Sequence, residues 1–332
     1  MIMIINSCLF FIVSTVAVIH LVMEIRTTRE GNDNSYNAEI ELHLQLLLPY
    51  NSLPAQASAV EYFRRLLIRN HILPPPFADA LIKSLIRCLR GGLEALVECA
   101  AETDGETRDQ VFWALGNIAL DCPTCQEMVQ NSAALPLMIN VLVSPTFIRS
   151  KWIRNLIWAL SQIIRGGIRT LDITFVRAAL TGLRPVLYLE DSKIKMDAIW
   201  TVAYIADDNV GGGQIDAVLQ TPALLERLIE LLAEKRAMPA ALRALGNLVV
   251  GDDAQTQAVL NAGLLPRMME LFGPMMPINQ KHEIMWILSN IAAGSQRQID
   301  LLFETNDIVE ILTDTFFNTM IIVFARHEQG NY

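Results

Sequence analysis

The chain has 332 residues, 52% of them hydrophobic and only 18% charged, with a formal net charge of −9 and a pI near 5.1. That acidity disfavours direct nucleic-acid binding and favours a basic peptide or protein partner. The five cysteines, Cys8, Cys88, Cys99, Cys122 and Cys125, are odd in number and show no framework spacing, which predicts free thiols in a reducing compartment.

Residues 1–23 are almost continuously apolar and long enough for a bilayer-spanning helix. No Lys or Arg precedes them and no clear cleavage site follows, so they do not read as a signal peptide. Three readings remain: a mis-assigned start, a divergent and poorly ordered leader, or a membrane anchor that Arg26 and Arg29 would orient with the rest of the chain in the cytoplasm. Residues 24–39, with Gly31, Asn32, Asp33 and Asn34, read as a polar linker. From 40 to 326 the pattern is helix after helix, regular over about 91–312, and 327–332 form a short tail. Tyr62-Phe-Arg-Arg-Leu-Leu67 and Pro74-Pro-Pro-Phe77 read as the start of a capping repeat.

Trp113, Trp158, Trp200 and Trp286 lie 45, 42 and 86 residues apart, and Arg243 occupies the midpoint of the long gap. Four positions after each marker stands a residue that can hydrogen-bond: Asn117, Gln162, Tyr204, Asn247 and Asn290. On a helix, i and i+4 lie one above the other on one face. Loop signals follow each marker at Leu120-Asp-Cys-Pro123, Arg165-Gly-Gly167, Asp207 to Gly213, Gly251-Asp-Asp253 and Ala293-Gly-Ser295. After the fourth of these loops the Asn261-Ala-Gly263 turn ends one helix and Pro266 opens the next. The unit is therefore two short helices and a longer one carrying the marker. A period of this length belongs to HEAT and armadillo solenoids, whose stacked units form one concave binding surface. The expected fold is all-α, a right-handed armadillo-type α-solenoid of three-helix repeats.

Other motifs carry less. Cys122-Pro-Thr-Cys125 has half of a zinc or redox pattern, but without a second pair and in an inter-helix loop it reads as structural. Gly211-Gly-Gly213 lacks a following Lys-Ser/Thr and reads as a turn. The histidines are scattered, and no spacing marks a catalytic group, a metal or a cofactor; the chain reads as a non-enzyme. Asp252-Asp253 reads as a helix N-terminal cap.

Phe112-Trp-Ala-Leu-Gly-Asn-Ile-Ala119 with Asp121, Ile153-Arg-Asn-Leu-Ile-Trp-Ala-Leu-Ser161, Ala198-Ile-Trp-Thr-Val-Ala-Tyr204, Pro239 to Asn247, Gly251 to Gln257 and Trp286 to Gly294 resemble the internal repeats of importin-α, in the same order of variants and over roughly 55–312. The resemblance implies a nuclear import adaptor of cytoplasm and nucleus that binds Lys/Arg-rich nuclear localisation signals in an extended conformation. Indole faces accept the stems and cationic heads of Lys and Arg. Asn amides bind the peptide backbone, and a carboxylate selects one lysine. By resemblance the major site comprises Gln110, Trp113, Asn117, Asp121, Asn155, Trp158, Gln162, Asp197, Trp200 and Tyr204, with Asp121 the selecting carboxylate. A partial minor site would use Arg243, Asn247, Glu283, Trp286 and Asn290.

Several positions depart from the family's pattern. Gln162 stands where Asn is expected, and Lys193, seven before Trp200, would oppose a basic peptide. The Trp/Asn unit that should precede Trp113 and the one that should follow Trp286 are missing, which predicts a truncated or divergent member. The basic segment through which the family binds importin-β has no counterpart in residues 1–40, where only Arg26 and Arg29 are basic. The alternative is a non-transport armadillo scaffold, membrane-tethered through residues 1–23, that binds another basic peptide.

Overall fold

The structure is a computed structural model that describes residues 34–48, 51–68, 75–144, 151–166, 172–207, 213–273 and 275–305, together with 308 and 313. The apolar leader, residues 24–33 of the expected linker and the tail lie outside the described residues. No helix among the described residues is long and apolar enough to cross a membrane.

The architecture is all-α, and the chain divides into two compact units, residues 1–138 and 139–332. The first unit contains α1 (Asn34–Leu46), α2 (Leu53–Ile68), α3 (Pro75–Glu102), α4 (Gly105–Asp121) and α5 (Pro123–Gln130). α1 begins inside the stretch read as linker, because residues 34–39 place Ile40 and then Leu47 fully inside the core of this unit. α3 runs 28 residues without a break. Its Gly91-Gly92 pair costs about 1 kcal/mol per glycine against alanine, and the burial of Leu81, Leu85, Leu93, Leu96 and Ala100 outweighs that cost.

α6 (Ala134–Leu142) crosses from the first unit into the second. The second continues with α7 (Ile153–Ile164), α8 (Ile173–Val186), α9 (Ser192–Ala206), α10 (Gln214–Gln220), α11 (Leu224–Leu231), α12 (Met238–Leu248), α13 (Asp253–Asn261), α14 (Leu264–Leu271), α15 (Ile278–Ala292) and α16 (Gln296–Glu304). Two short helices and a longer third recur as expected in α10–α12 and α13–α15. Between α7 and α9, however, the described residues hold the single helix α8. Its Gly182 stays buried in the helix, and Pro185 falls in the last turn, so no turn divides the segment.

Local chemistry sets the helix ends. Asp172 caps α8 by accepting from the Thr174 amide at 2.7 Å, and Asp191 caps α9 by accepting from Lys193 and Ile194. Asp252 caps α13 as expected: it accepts from the Gln255 amide at 2.8 Å while Gln255 Oε1 accepts from the Asp252 amide at 2.9 Å. Gln298 makes the equivalent return contact to the Ser295 amide at 2.9 Å. Both glutamines also reach the preceding repeat, Gln255 donating to Asp216 Oδ1 at 2.8 Å and Gln298 to the Asp253 carbonyl at 2.7 Å. The cap and the stacking of repeats thus depend on the same side chains. At the α13–α14 turn Gly263 takes φ 92°, which favours glycine. Pro266 is the third residue of α14 rather than its opener, a position in the first turn where a missing N–H leaves no intrahelical bond unmade.

Candidate functional site

In the first unit α4 carries Gln110, Trp113, Asn117 and Asp121 at intervals of three to four residues, so they share one face. The opposite face buries Val111, Phe112, Ala114, Leu115, Ile118 and Ala119. Trp113 stays 43% exposed although it is the most costly side chain on the helix to leave in water. Gln110 and Asp121 are exposed and Asn117 is half-buried. Asp121 is the last residue of α4, and Cys122, extended at φ −151°, joins it to Pro123 at the start of α5. Cys122 and Cys125 are joined as a disulfide, which overturns the expectation of free thiols for this pair; Cys88 and Cys99 are free. The pair stands at the cap and first turn of α5 rather than in an open loop. A cleft of about 750 Å³ in this unit, lined by Arg90, Glu94, Glu98, Glu127 and neighbours from α3 and α5, shares none of the α4 site residues.

In the second unit α7 packs on α9, α9 on α12 and α12 on α15. These four helices carry all the remaining site residues. Asn155, Trp158 and Gln162 are half-buried on α7. Gln162 Nε2 donates to Ser161 Oγ at 3.0 Å, and Ser161 donates to the Trp158 carbonyl at 2.7 Å. On α9 the Trp200 and Tyr204 rings stack at 5.7 Å between centroids and 25° between planes, one turn apart. Asp197 lies one turn before Trp200, and burial raises its pKa; Arg154 opposes that shift and Asp191 adds to it. Arg154 and Asp191 are ion-paired, which ties α7 to the cap of α9. Lys193 is exposed, as an opposing cation would be.

On α12 and α15 the expected minor-site residues come together. Arg243 Nη2 donates to Glu283 Oε1 at 2.5 Å, and the guanidinium carbon lies 5.3 Å from the Trp286 ring centroid. Glu283 Oε2 and Asn290 Nδ2 are buried with no hydrogen-bond partner. Such groups are costly unless something satisfies them. Asn247 Nδ2 donates to the Ala203 carbonyl of α9 at 2.8 Å and so joins neighbouring repeats. A cleft of about 350 Å³ is lined by Asn247, Trp286, Gly251 and Gln255 with the carboxylates of Asp207 and Asp216.

Sequence reasoning missed Gly246 and Arg154. A Cβ built on Gly246 would lie 2.3 Å from Trp286, so the absence of a side chain is what seats the indole against α12. The signal was present in Leu245-Gly-Asn247, read only for its Asn.

No protein-family model matches the chain. It is 32% identical over 221 residues to importin subunit alpha-1a of Oryza sativa subsp. japonica, covering 66% of this chain and 41% of that protein. Importin subunit alpha-2 of Caenorhabditis elegans is 26% identical over 195 residues, 58% of this chain and 36% of the relative. The chain thus spans about two fifths of the length of the curated relatives it matches. Among solved structures, a designed armadillo repeat protein in complex with the peptide (KR)4 aligns with a TM-score of 0.52 and 22% identity, covering 76% of this chain and 99% of that one. An engineered protein aligns with a TM-score of 0.56 and 27% identity over 67% of this chain and 89% of its own. In sequence the chain is similar to the importin α subunits, and in fold it is similar to armadillo-repeat proteins.

Proposed function

We propose that the chain binds Lys/Arg-rich segments of the nuclear localisation type and acts as a nuclear import adaptor. The observation that carries this reading is the α12–α15 corner, where Arg243 already lies over Trp286 and bonds to Glu283. A basic peptide would repeat that contact along the half-buried Trp158, Trp200 and Tyr204 on α7 and α9, with stems packed on rings and heads paired to carboxylates. In the first unit the exposed Trp113 supplies an aromatic wall and Asp121 the selecting charge. The importin α names of the similar sequences and the (KR)4 peptide of one designed neighbour support the same partner chemistry. The reading assigns the chain a binding role with no catalytic step, in the cytoplasm and nucleus.

Fluorescence anisotropy of a Lys-rich peptide against the full chain tests it. Asp121→Lys is expected to weaken binding by at least about tenfold, since a like charge would face the peptide lysine, and Trp200→Ala to weaken it comparably. Unchanged affinity in both variants would remove these residues from the site. A non-transport scaffold for another basic partner is the second reading. It predicts peptide binding without importin-β recovery by this chain.

A further inference from the structure

At the α4–α5 junction the Asp121 carboxylate and the sulfurs of Cys122 and Cys125 all lie within 4.8 Å of one another. We propose that, once the disulfide is reduced, these three side chains form a binding site for one thiophilic divalent cation, Zn2+ above all. Two thiolates and a carboxylate are the donor set zinc accepts, and a fourth position left to water would make the site open.

The backbone already suits the task. The Cα atoms of Cys122 and Cys125 are 5.1 Å apart. Tetrahedral zinc with Zn–S near 2.3 Å needs its two sulfurs about 3.8 Å apart, within reach of small side-chain rotations from such a pair. The Cys125 amide donates to Cys122 Sγ at 3.0 Å, which holds the two sulfurs together at the cap and first turn of an eight-residue helix. Asp121 and Cys122 supply the solvent side of the site and Cys125 its buried floor, 2% exposed. Pro123 fixes the turn between the cysteines without removing a needed N–H, since it stands at the first helical position.

The redox step balances as exchange with a dithiol such as dithiothreitol. The protein disulfide takes up two electrons and two protons, and the reagent leaves as its own cyclic disulfide. Metal entry then displaces the two thiol protons. Disulfide and metal are mutually exclusive states of one corner. A further consequence rests on the proposed function: a cation held by Asp121 would withdraw that carboxylate from a peptide lysine, so metal loading would weaken peptide binding.

Co2+ is the probe, added to the full chain without peptide, with thiolate-to-metal charge-transfer absorption as the readout. The chain freed of reductant after treatment is expected to bind one equivalent, and the oxidised chain none at this corner. Cys125→Ser and Cys122→Ser should each abolish the saturable band. Asp121→Asn should weaken binding by at least about tenfold, the lower end of the loss found even for groups that only support a ligand. The variants control for other thiols; Cys88 is buried and its thiol is pushed up to about 11 by that burial. No saturable band in the reduced chain, or an equal band in folded Cys125→Ser, would overturn the proposal. Because no peptide is present, that failure would leave the peptide-binding reading standing, and a failed peptide titration would leave this one.

Discussion

The guanidinium of Arg243 lies 5.3 Å from the centroid of the Trp286 ring, held there by a 2.5 Å hydrogen bond to Glu283. The side chain that replaces tryptophan in the repeat series therefore occupies the next tryptophan's face. It acts as a resident cation in a pocket proposed to take one from a peptide.

Arg243→Ala should consequently move stability and affinity in opposite directions. Removing the guanidinium leaves the partly buried Glu283 without its partner, at a cost on the order of 1 kcal/mol. The same change uncovers Trp286 and Glu283 and removes a repelling charge, which should tighten a second basic cluster by about 3- to 10-fold, up to roughly 1.4 kcal/mol. Thermal unfolding measures the first effect, and anisotropy with a two-cluster peptide measures the second. Weaker peptide binding by the folded variant would show that Arg243 supports the pocket rather than blocking it.

Gly246→Ala tests how Trp286 is seated. The added Cβ would lie 2.3 Å from the indole, closer than atoms can approach, and the contact is the ring itself rather than the end of a flexible chain. The ring must shift or the helices separate, at about 1–3 kcal/mol by the usual cost of overpacking. A lower Tm together with altered tryptophan fluorescence is expected; a variant as stable as the parent would mean that α12 and α15 yield freely.

What the sequence revealed and what it concealed follow from range. The marker spacing was legible because every repeat presents the same face, so Trp158, Trp200, Arg243 and Trp286 recur at nearly constant intervals on packed helices. The cap at Asp252 was legible because its partner lies three residues away. The bond from the Asn247 amide to the Ala203 carbonyl, 44 residues away, was not legible, because no local pattern encodes that pairing. The undivided α8 escaped because a glycine within a helix and a glycine at a turn look alike in sequence. The closeness of Asp121 to the Cys122–Cys125 pair was not legible, because the motif itself carries two cysteines and no second pair, and only the fold shows the carboxylate within 4.8 Å of both sulfurs.

Acid should selectively weaken α2. Hydrogen bonds from Arg64 and then Arg65 hold the Glu61 carboxyl at about 2, below its ordinary 4.5. A depressed folded-state pKa contributes stability that is present above the unfolded value and lost as pH falls toward 2. Arg64 and Arg65 are 37% and 68% exposed, so solvent screening limits the contribution to below about 1 kcal/mol. Glu61→Gln should therefore lower stability slightly at pH 7 and match the parent near pH 2. A constant difference across that range would mean the effect is not ionic.

Asp197 predicts the opposite sign. Burial lifts its folded-state pKa above the ordinary value near 4, with Asp191 adding to the shift and Arg154 opposing it. Its ionised form is thus disfavoured in the free protein, and at pH 7 Asp197→Asn should be at least as stable as the parent. A peptide ammonium docked beside Trp200 would favour the ionised form and pull the pKa down on binding. By linkage the affinity is fully developed above the raised pKa and falls as pH drops through it. Peptide titrations from pH 7 down to about 4 should show a proton-linked loss that Asp197→Asn reduces. Other carboxylates titrate in the same range, so the difference between parent and variant is the quantity to read. Equal pH slopes would place Asp197 away from the peptide's charged groups.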